Sequence, residues 1–290
     1  MVVLASAAVE FTPLRDFTDF AAHMRAVLDR TPDAAVVVLP EYVGLELLTL
    51  EAGWESMTIE DIVRTSRRTD DYVNLFIDEA RARQQYILAG TQLVETATGW
   101  LNTAHLFGPE EGLILTHAKT HLFPAEGHLG TIHTSDTPPP VTELPFGPVG
   151  INICYEAQIP ECADAVIAQG AEILLVPSLT LSEAGSWRVN HCAQSRAIEN
   201  QMFVVSSQLF GAPQGFFPGC YARSAVYAPC DAPWPAHGEL ASTSPNTEES
   251  VKAEVSLSDL ARVRAEGATL TWADRADRAP TYAGWPSRRV

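Results

Sequence analysis

The chain has 290 residues, 46% of them hydrophobic and 19% charged, which is ample material for a buried core. Its 19 Lys and Arg residues against 36 Asp and Glu residues leave a formal net charge of −17. So acidic a surface repels phosphate, which argues against nucleic acids and anionic membranes as partners. The longest apolar runs are strand-sized and too short to span a membrane. The N-terminal residues MVVLASAAVEF lack a basic flank and predict a first strand rather than a signal peptide, so we expect a cytoplasmic location.

Strand-like and helix-like segments alternate through the first half of the chain. Apolar runs predict strands over residues 2–9, 35–39, 86–94, 101–107 and 112–117. Helical spacing predicts helices over residues 17–28 and 58–82. The turn at Thr98 and Gly99 predicts a hairpin, and the proline-rich residues 134–140 predict a loop.

The second half repeats this pattern. Strands are predicted over residues 149–153, 173–176, 202–207 and 252–255, with Pro177 ending the second of them. Helices are predicted over residues 160–169, 183–200 and 256–266, the last capped by Ser256 or Ser258. Residues from about 267 show little periodicity and predict a C-terminal tail. Because no linker or repeat interrupts the chain, we expect one α/β domain over residues 1–290, with mixed sheets covered by helices.

The cysteines leave a thiol available for chemistry. The chain has 5 of them, an odd number without a CxxC pair, which argues against a disulfide scaffold or a structural zinc site. We expect all but one of them to have a structural role, and burial is the default for those that fall in predicted helices. The expected structural cysteines are Cys162, Cys192, Cys220 and Cys230.

Three polar residues follow buried strands, where catalytic groups concentrate in α/β folds. Glu41 follows VVVLP, Lys119 follows LILTHA and Cys154 follows VGINI. Each one alone is weak support for a site, but together they form a chemically sensible set. A thiol supplies a nucleophile, a carboxylate can carry its proton, and an ammonium can stabilise an oxyanion.

The segments around these residues resemble the signature regions of the nitrilase (carbon–nitrogen hydrolase) superfamily. They are LPEYVG at Glu41, AKTHLFPAE at Lys119 and NICYEAQIPE at Cys154, followed downstream by QGAEILLVPS and AQSRAIENQMFVVSS. The resemblance implies a four-layer αββα sandwich, a catalytic Glu41-Lys119-Cys154 triad, no cofactor, and a homodimer or higher homo-oligomer. The later segments YARSAVYAPCDAPWP and TSPNTEE resemble a bacterial branch that is sometimes fused to an acetyltransferase domain.

Three positions near the motifs depart from the commoner pattern of that superfamily. Glu156 stands where Asp is usual, which keeps the carboxylate, and Gln158 stands where Arg is frequent, which removes a positive charge. Many relatives carry a second active-site Glu after the Lys. Glu126 is the candidate here, although its spacing from Lys119 is slightly short. The resemblance implies that Glu126 positions Lys119 and the substrate.

The function implied by the resemblance is hydrolysis of a non-peptide C–N bond in a small amide, through a thioester on Cys154. The backbone N–H of Tyr155 is expected to assist Lys119 at the oxyanion. Tyr42, Thr180 and Trp187 are candidate lining residues of the substrate pocket, with core or interface packing an equal alternative for the last two.

Several alternatives stay open. Nitrile or N-carbamoyl hydrolysis would use the same triad, an N-acyltransferase would pass the same thioester to an amine, and a non-catalytic binding protein would keep only the fold. A metal site is the less favoured interpretation of a histidine-rich region, because no third ligand completes a recognised spacing. His121 is instead expected to pack behind Lys119. The histidines of that region are His117, His121, His128 and His133.

Overall fold

The computed structural model describes residues 1–211 and 219–286, in which strands alternate with helices for most of the chain. The strands are β1 Val2–Glu10, β2 Val36–Val38, β3 Tyr86–Thr96, β4 Gly99–Gly108, β5 Gly112–Ala118, β6 Ile132–His133, β7 Val141–Leu144, β8 Gly147–Ile151, β9 Ile173–Leu179, β10 Phe203–Phe210, β11 Ala225–Tyr227, β12 Glu239–Ser242 and β13 Ser250–Val255. The α-helices are α1 Phe17–Leu28, α2 Thr69–Arg83, α3 Pro124–His128, α4 Pro160–Ile167, α5 Glu183–Glu199, α6 Leu257–Glu266 and α7 Thr271–Tyr282. Shorter 3₁₀ helices cover Val43–Leu50, Trp54–Ser56, Ile59–Arg68 and Cys154–Gln158.

The central strands form two sheets that share β1. The path runs β5-β4-β3-β2-β1-β10-β9-β8-β7. Residues 2–7 of β1 pair antiparallel with β13, and residues 4–6 pair in parallel with β2. Residues 8–10 of the same strand pair in parallel with β10. The end of β1 therefore passes from one sheet into the other, which joins the two sheets into one framework.

Alternation along the strands separates two apolar cores. Leu4, Val36 and Leu88 point into a core that also contains Ile151 and Val204 of the second sheet. Their neighbours in the chain point the other way, into a core shared with α1 and α2, which contains Ala5, Val37, Ile87, Met24 and Phe76. Residues of α4 and α5 pack against the second sheet. The order is thus helices, sheet, sheet, helices, and the predicted four-layer αββα sandwich is confirmed.

Side-chain caps explain why the predicted helices begin where they do. The carboxylate of Asp16 accepts hydrogen bonds from the backbone N–H groups of Thr18 and Asp19 at the start of α1. Ser182 caps α5 in the same way, and Ser256 caps α6. Each cap provides a partner for a backbone donor that has none within its helix.

Pro177 does not end its strand, contrary to the prediction. β9 continues through it to Leu179, paired with β10, and Pro177 lies opposite Ser207. On the other side of β9 the pairing with β8 stops at Leu175, whose carbonyl accepts from the N–H of Asn152. Pro177 has no backbone N–H, but at this position β8 no longer pairs with β9, so no hydrogen bond between the two strands is lost. A sheet tolerates proline at such unpaired positions.

Two helical predictions need correction. Residues 58–82, predicted as one helix, form the 3₁₀ helix Ile59–Arg68 followed by α2. The segment beyond residue 267, predicted as a tail without periodicity, contains α7, none of whose residues is buried. None of the helices in the described ranges has the length and apolarity that a membrane crossing requires.

Candidate active site

The three predicted site residues meet at one edge of the sandwich. Glu41 follows β2, Lys119 follows β5, and Cys154 begins the 3₁₀ helix that follows β8. All three are buried, with exposed fractions of 2%, 1% and 5%. Nζ of Lys119 lies 2.6 Å from Oε1 of Glu41. The thiol of Cys154 interacts with the Glu41 carboxylate and donates toward the carbonyl oxygen of Leu179, 3.4 Å away.

A second carboxylate completes the surroundings of the lysine. Glu126 lies on α3, and its Oε2 accepts a hydrogen bond from Nζ of Lys119 at 2.6 Å. The same oxygen accepts from the backbone N–H of Phe123, and Oε1 accepts from the hydroxyl of Tyr42 at 2.6 Å. The short spacing between Lys119 and Glu126 is therefore no obstacle, because a turn at α3 brings the carboxylate back to the ammonium. An ammonium has three N–H donors, so one is left after these two carboxylates.

Asn102 binds both carboxylates, and sequence reasoning missed it. Its Nδ2 donates to Oε1 of Glu41 at 2.8 Å and to Oε1 of Glu126 at 2.9 Å. Its backbone carbonyl accepts from the N–H of Lys119, also at 2.8 Å. Asn102 is fully buried in the middle of β4. A buried Asn is costly unless it is hydrogen-bonded, but the burial of Asn102 beside both carboxylates follows only from the fold.

The backbone at Cys154 makes a sharp turn. Its φ angle is +48°, in the left-handed region that non-glycine residues rarely adopt. Such geometry costs about 1–3 kcal/mol and is concentrated at functional sites. Tyr155 follows in the first turn of the 3₁₀ helix, where backbone N–H groups have no carbonyl partner within the helix. The arrangement is compatible with the predicted role of the Tyr155 N–H, while its ring packs edge-on against Phe123.

The buried carboxylate of Glu156 links the segment after Lys119 to the segment before Cys154. Glu156 is fully buried and accepts from the backbone N–H of Thr120 at 2.7 Å and from that of Ile153 at 2.6 Å. Nε2 of His117 lies 2.9 Å from its Oε2. His117 therefore supports the site, whereas His121, predicted to pack behind Lys119, is exposed and places Nδ1 3.3 Å from Sγ of Cys162.

Burial and charge give the two carboxylates different acidities. Burial raises the pKa of Glu41 above its ordinary value, because the opposing charge of Lys119 does not compensate fully. Burial also acts to raise the pKa of Glu126, but the Lys119 charge and the hydrogen bonds from Lys119, Tyr42 and Asn102 outweigh it, and its pKa lies below the ordinary value. Glu126 is thus the permanently ionised partner, and Glu41 is the one suited to carry a proton.

The lysine and the thiol are shifted as well. Burial acts to lower the pKa of Lys119, but the charges of Glu126 and Glu41 outweigh it and the net shift is upward, so the ammonium stays charged at neutral pH. Burial first, and the nearby Glu41 charge second, raise the pKa of Cys154 well above its ordinary value. The resting thiol is therefore protonated, and a reaction at sulfur needs a base beside it.

Two cavities open onto the sulfur. The first, of about 410 Å³, is mainly apolar apart from the charged cluster; its lining residues include Glu41, Tyr42, Ile59, Ile62, Lys119, Glu126, Leu129, Ile132 and Cys154. The second, of about 360 Å³, is more polar; its lining residues include Cys154, Gln158, Thr180, Ser182, Gly185 and Arg188. Both share Phe123, Leu179 and Leu181.

Two of the three candidate lining residues reach a cavity. Tyr42 lines the first, although its hydroxyl is engaged by Glu126. Thr180 lines the second, with its hydroxyl donated to the Tyr221 carbonyl. Trp187 lines neither: it lies on the outer face of α5, 38% exposed and stacked on His191. Helical spacing explains this, because Trp187 and its neighbour Arg188 point in different directions from the axis.

Comparison with known proteins relates this geometry to one family. The family model described as "Carbon-nitrogen hydrolase" matches residues 7–265. The chain is 32% identical over 271 residues to "Probable hydrolase YhcX" of Bacillus subtilis (strain 168), covering 92% of this chain and 52% of that protein. It is 28% identical over 186 residues to "Omega-amidase NIT2" of Danio rerio, covering 62% of this chain and 64% of that protein. The chain thus spans about half to two thirds of the length of these curated relatives.

A solved structure shares the fold over nearly the whole chain. The amidase from Nesterenkonia sp. AN1 superposes with a TM-score of 0.74 at 18% identity, covering 97% of this chain and 100% of that one. At that identity the likeness shows the fold alone. The family model spans the three site loops, which the structure brings to one buried cluster beside two cavities. The chain belongs to the carbon-nitrogen hydrolase family.

Proposed function

We propose that the protein hydrolyses the C–N bond of a small amide through a thioester on Cys154, releasing a carboxylic acid and ammonia or an amine. One observation carries the proposal: a single ammonium, Lys119, lies between two carboxylates whose pKa values are displaced in opposite directions. A pair of carboxyl groups separated in this way indicates a division of acid–base labour. Glu41, the one with the raised pKa, is also the one that interacts with the thiol.

The first half of the reaction forms the thioester. Glu41 takes the thiol proton of Cys154, and the sulfur attacks the carbonyl carbon of the amide. Negative charge develops on the carbonyl oxygen, where the remaining N–H donor of Lys119 and the backbone N–H of Tyr155 stabilise it. The tetrahedral intermediate then collapses with cleavage of the C–N bond, and protonated Glu41 returns its proton to the departing nitrogen.

The second half releases the acid. Glu41, ionised again, takes a proton from water as the water oxygen attacks the thioester carbon. The C–S bond breaks, the sulfur recovers its proton from Glu41, and the carboxylic acid leaves. Glu126 and Asn102 act as positioning residues, since they hold the ammonium and the base without needing to change protonation state.

The names of relatives support an amide rather than a nitrile or a carbamoyl group. Relatives include the omega-amidase of Danio rerio and "2-oxoglutaramate amidase" of Paenarthrobacter nicotinovorans, 27% identical over 221 residues, covering 73% of this chain and 71% of that protein. One structure of the Nesterenkonia amidase, 18% identical and with a TM-score of 0.74, covers 98% of this chain and 97% of that one and shows an acetamide moiety covalently added at its active-site cysteine.

The test is release of ammonia from a panel of amides, nitriles and N-carbamoyl compounds, measured beside Cys154→Ala. We expect ammonia and acid from amides and a loss of at least about 10³-fold in the alanine variant, since the covalent route disappears. Equal activity of the two proteins would refute the proposal. Formation of an N-acyl product in the presence of an amine would instead support acyl transfer.

The wider setting is also proposed. We propose a single domain over residues 1–290 that works in the cytoplasm as a homodimer or larger assembly. Support for the assembly comes from large apolar side chains that are exposed in the single chain: Trp187, Ile198, Trp272 and Trp285. Sedimentation velocity tests it, because a species of monomer mass at micromolar concentration would contradict the assembly.

A further inference from the structure

The second cavity contains a positive charge with no role in the chemistry proposed above. Arg188 lines the same cavity of about 360 Å³ as Cys154. It extends from the second turn of α5, and its Nη2 lies 3.7 Å from the point where a side chain on Gly185 would begin. The absence of a side chain at Gly185, which also lines the cavity, leaves room for the guanidinium on that wall.

This guanidinium has no carboxylate partner among the residues that the structure describes. Other arginines on the same side of the molecule do have one. Arg196, two turns further along α5, lies within ion-pairing distance of Glu199. Arg223 pairs with Glu239 at 2.7 Å. Within the described ranges, then, Arg188 is charged and unpaired beside the candidate nucleophile, in a chain whose net charge is −17.

The rest of the cavity suits a polar ligand. Gln158, Thr180 and Ser182 bring polar side chains, whereas the first cavity offers mostly aliphatic ones outside the charged cluster. Among the residues that the structure describes, none that lines the second cavity is acidic, so no described carboxylate in its wall competes for the guanidinium.

We propose that Arg188 determines substrate specificity by binding a carboxylate at the far end of the acyl group that Cys154 attacks. This rests on the proposed amide hydrolysis and names its substrate class: monoamides that carry a second, ionised acid group. The planar guanidinium matches a carboxylate with two parallel hydrogen bonds, which a neutral chain end cannot form. Because Arg188 and Cys154 line one cavity, a single acyl chain can extend from the sulfur to the guanidinium.

The test compares charged and neutral amides of matched length in matched variants. The substrates are succinamate against pentanamide, and glutaramate against hexanamide. The variants are Arg188→Gln, which removes the charge, and Arg188→Lys, which keeps it. Arg81→Gln, an exposed arginine on the distant helix α2, is the control for a general loss of positive charge.

We expect Arg188→Gln to lower kcat/KM for the charged amides by about 10-fold to 100-fold, mainly through KM, because a charge-assisted hydrogen bond to the substrate is lost. The neutral amides should change by less than about 2-fold, and Arg188→Lys should recover part of the loss. Raised salt concentration should lower kcat/KM for the charged amides and leave that for the neutral amides unchanged, because salt screens the attraction between charges. An equal loss for charged and neutral amides, or no loss for either, would overturn the proposal.

Binding separates this proposal from the hydrolase proposal. Calorimetric titration of succinamate into Cys154→Ala, with and without Arg188→Gln, measures the subsite without turnover. If binding depends on Arg188 but the parent protein with Cys154 intact releases no ammonia from any amide, the hydrolase is refuted and the anion site is kept. Binding of succinamate that is indifferent to Arg188 would refute the anion site, whatever the activity.

Discussion

Two clusters in this protein place one cation between two carboxylates, and only one of them has the surroundings for chemistry. In the first, Lys119 lies between Glu41 and Glu126. In the second, His23 of α1 lies between Glu46 and Glu248, with Nδ1 3.0 Å from the former and Nε2 2.7 Å from the latter. By charge and distance alone the two arrangements look alike.

What surrounds each cluster separates their roles. The lysine cluster faces a cavity and a thiol. The histidine cluster lines neither of the two cavities at Cys154. Its carboxylates have further partners within the fold: Glu46 accepts from the N–H of Thr12, and Glu248 pairs with Arg30. It fastens α1 to the segment before β13. An ion cluster therefore indicates function only together with a nucleophile and a space for substrate.

The largest expected contrast comes from the same substitution in both clusters. Glu41→Gln removes the proton carrier, so kcat should fall by about 10²–10⁴-fold. The amide oxygen can still accept from Lys119, whereas the N–H of Leu179 then faces the amide NH2 and loses its acceptor, so some stability should be lost as well. Glu46→Gln should leave kcat within about 2-fold and lower the unfolding temperature by about 1–2 °C, because a loss near 1 kcal/mol shifts the midpoint less as the chain becomes longer. Amidase assays and thermal melts check both variants. If Glu46→Gln lost activity and Glu41→Gln kept it, the distinction between the two clusters would be wrong.

A smaller contrast is expected for two buried tyrosines. Tyr42→Phe removes the hydroxyl that donates to Glu126, so Lys119 is less firmly held and kcat should fall by about 10-fold. Tyr72→Phe removes a hydroxyl that donates to the backbone of Ala89, away from both cavities, and should affect stability only. If the two variants had equal activity, the proposed positioning of Glu126 would be contradicted.

The smallest expected effect is a pH dependence of stability. Burial acts to lower the pKa of His23, but hydrogen bonds to Glu248 and Glu46 outweigh it and raise the pKa from 6.5 to about 10. A raised pKa stabilises the folded state fully below pH 6.5, and that stability is lost as the pH rises through about 10. Melts from pH 6 to pH 10 should therefore fall more steeply for the parent than for His23→Gln. Parallel curves would show that the imidazole carries no such charge.

The sequence was sufficient for the framework and for the three central residues. Strand-end positions and their motifs predicted Glu41, Lys119 and Cys154, which the structure brings together, and apolar runs located most strands. The sequence was insufficient where the role of a residue depends on its neighbours in the folded structure. Asn102 becomes meaningful only when β4 is placed beside both carboxylates, and β9 runs through Pro177 only because β8 stops short of it.

Side-chain direction was the other limit. Trp187 and Arg188 are adjacent in the chain, yet one faces outward and the other lines a cavity. The aromatic residue drew attention as a pocket candidate because of its type. The arginine became visible only once the helix axis and the position of Gly185 were known.

The central claim is that Cys154 forms a covalent acyl intermediate, and trapping that intermediate tests it most directly. Enzyme quenched in acid during turnover of an amide should carry the acyl mass on the Cys154 peptide. The peptides of the other thiols serve as internal controls: Cys162, Cys192, Cys220 and Cys230. We predict acylation of Cys154 alone, enriched in Glu41→Gln if water activation is slowed more than attack. Acyl mass on another cysteine, or turnover of the amide by Cys154→Ala at the parent rate, would contradict the account.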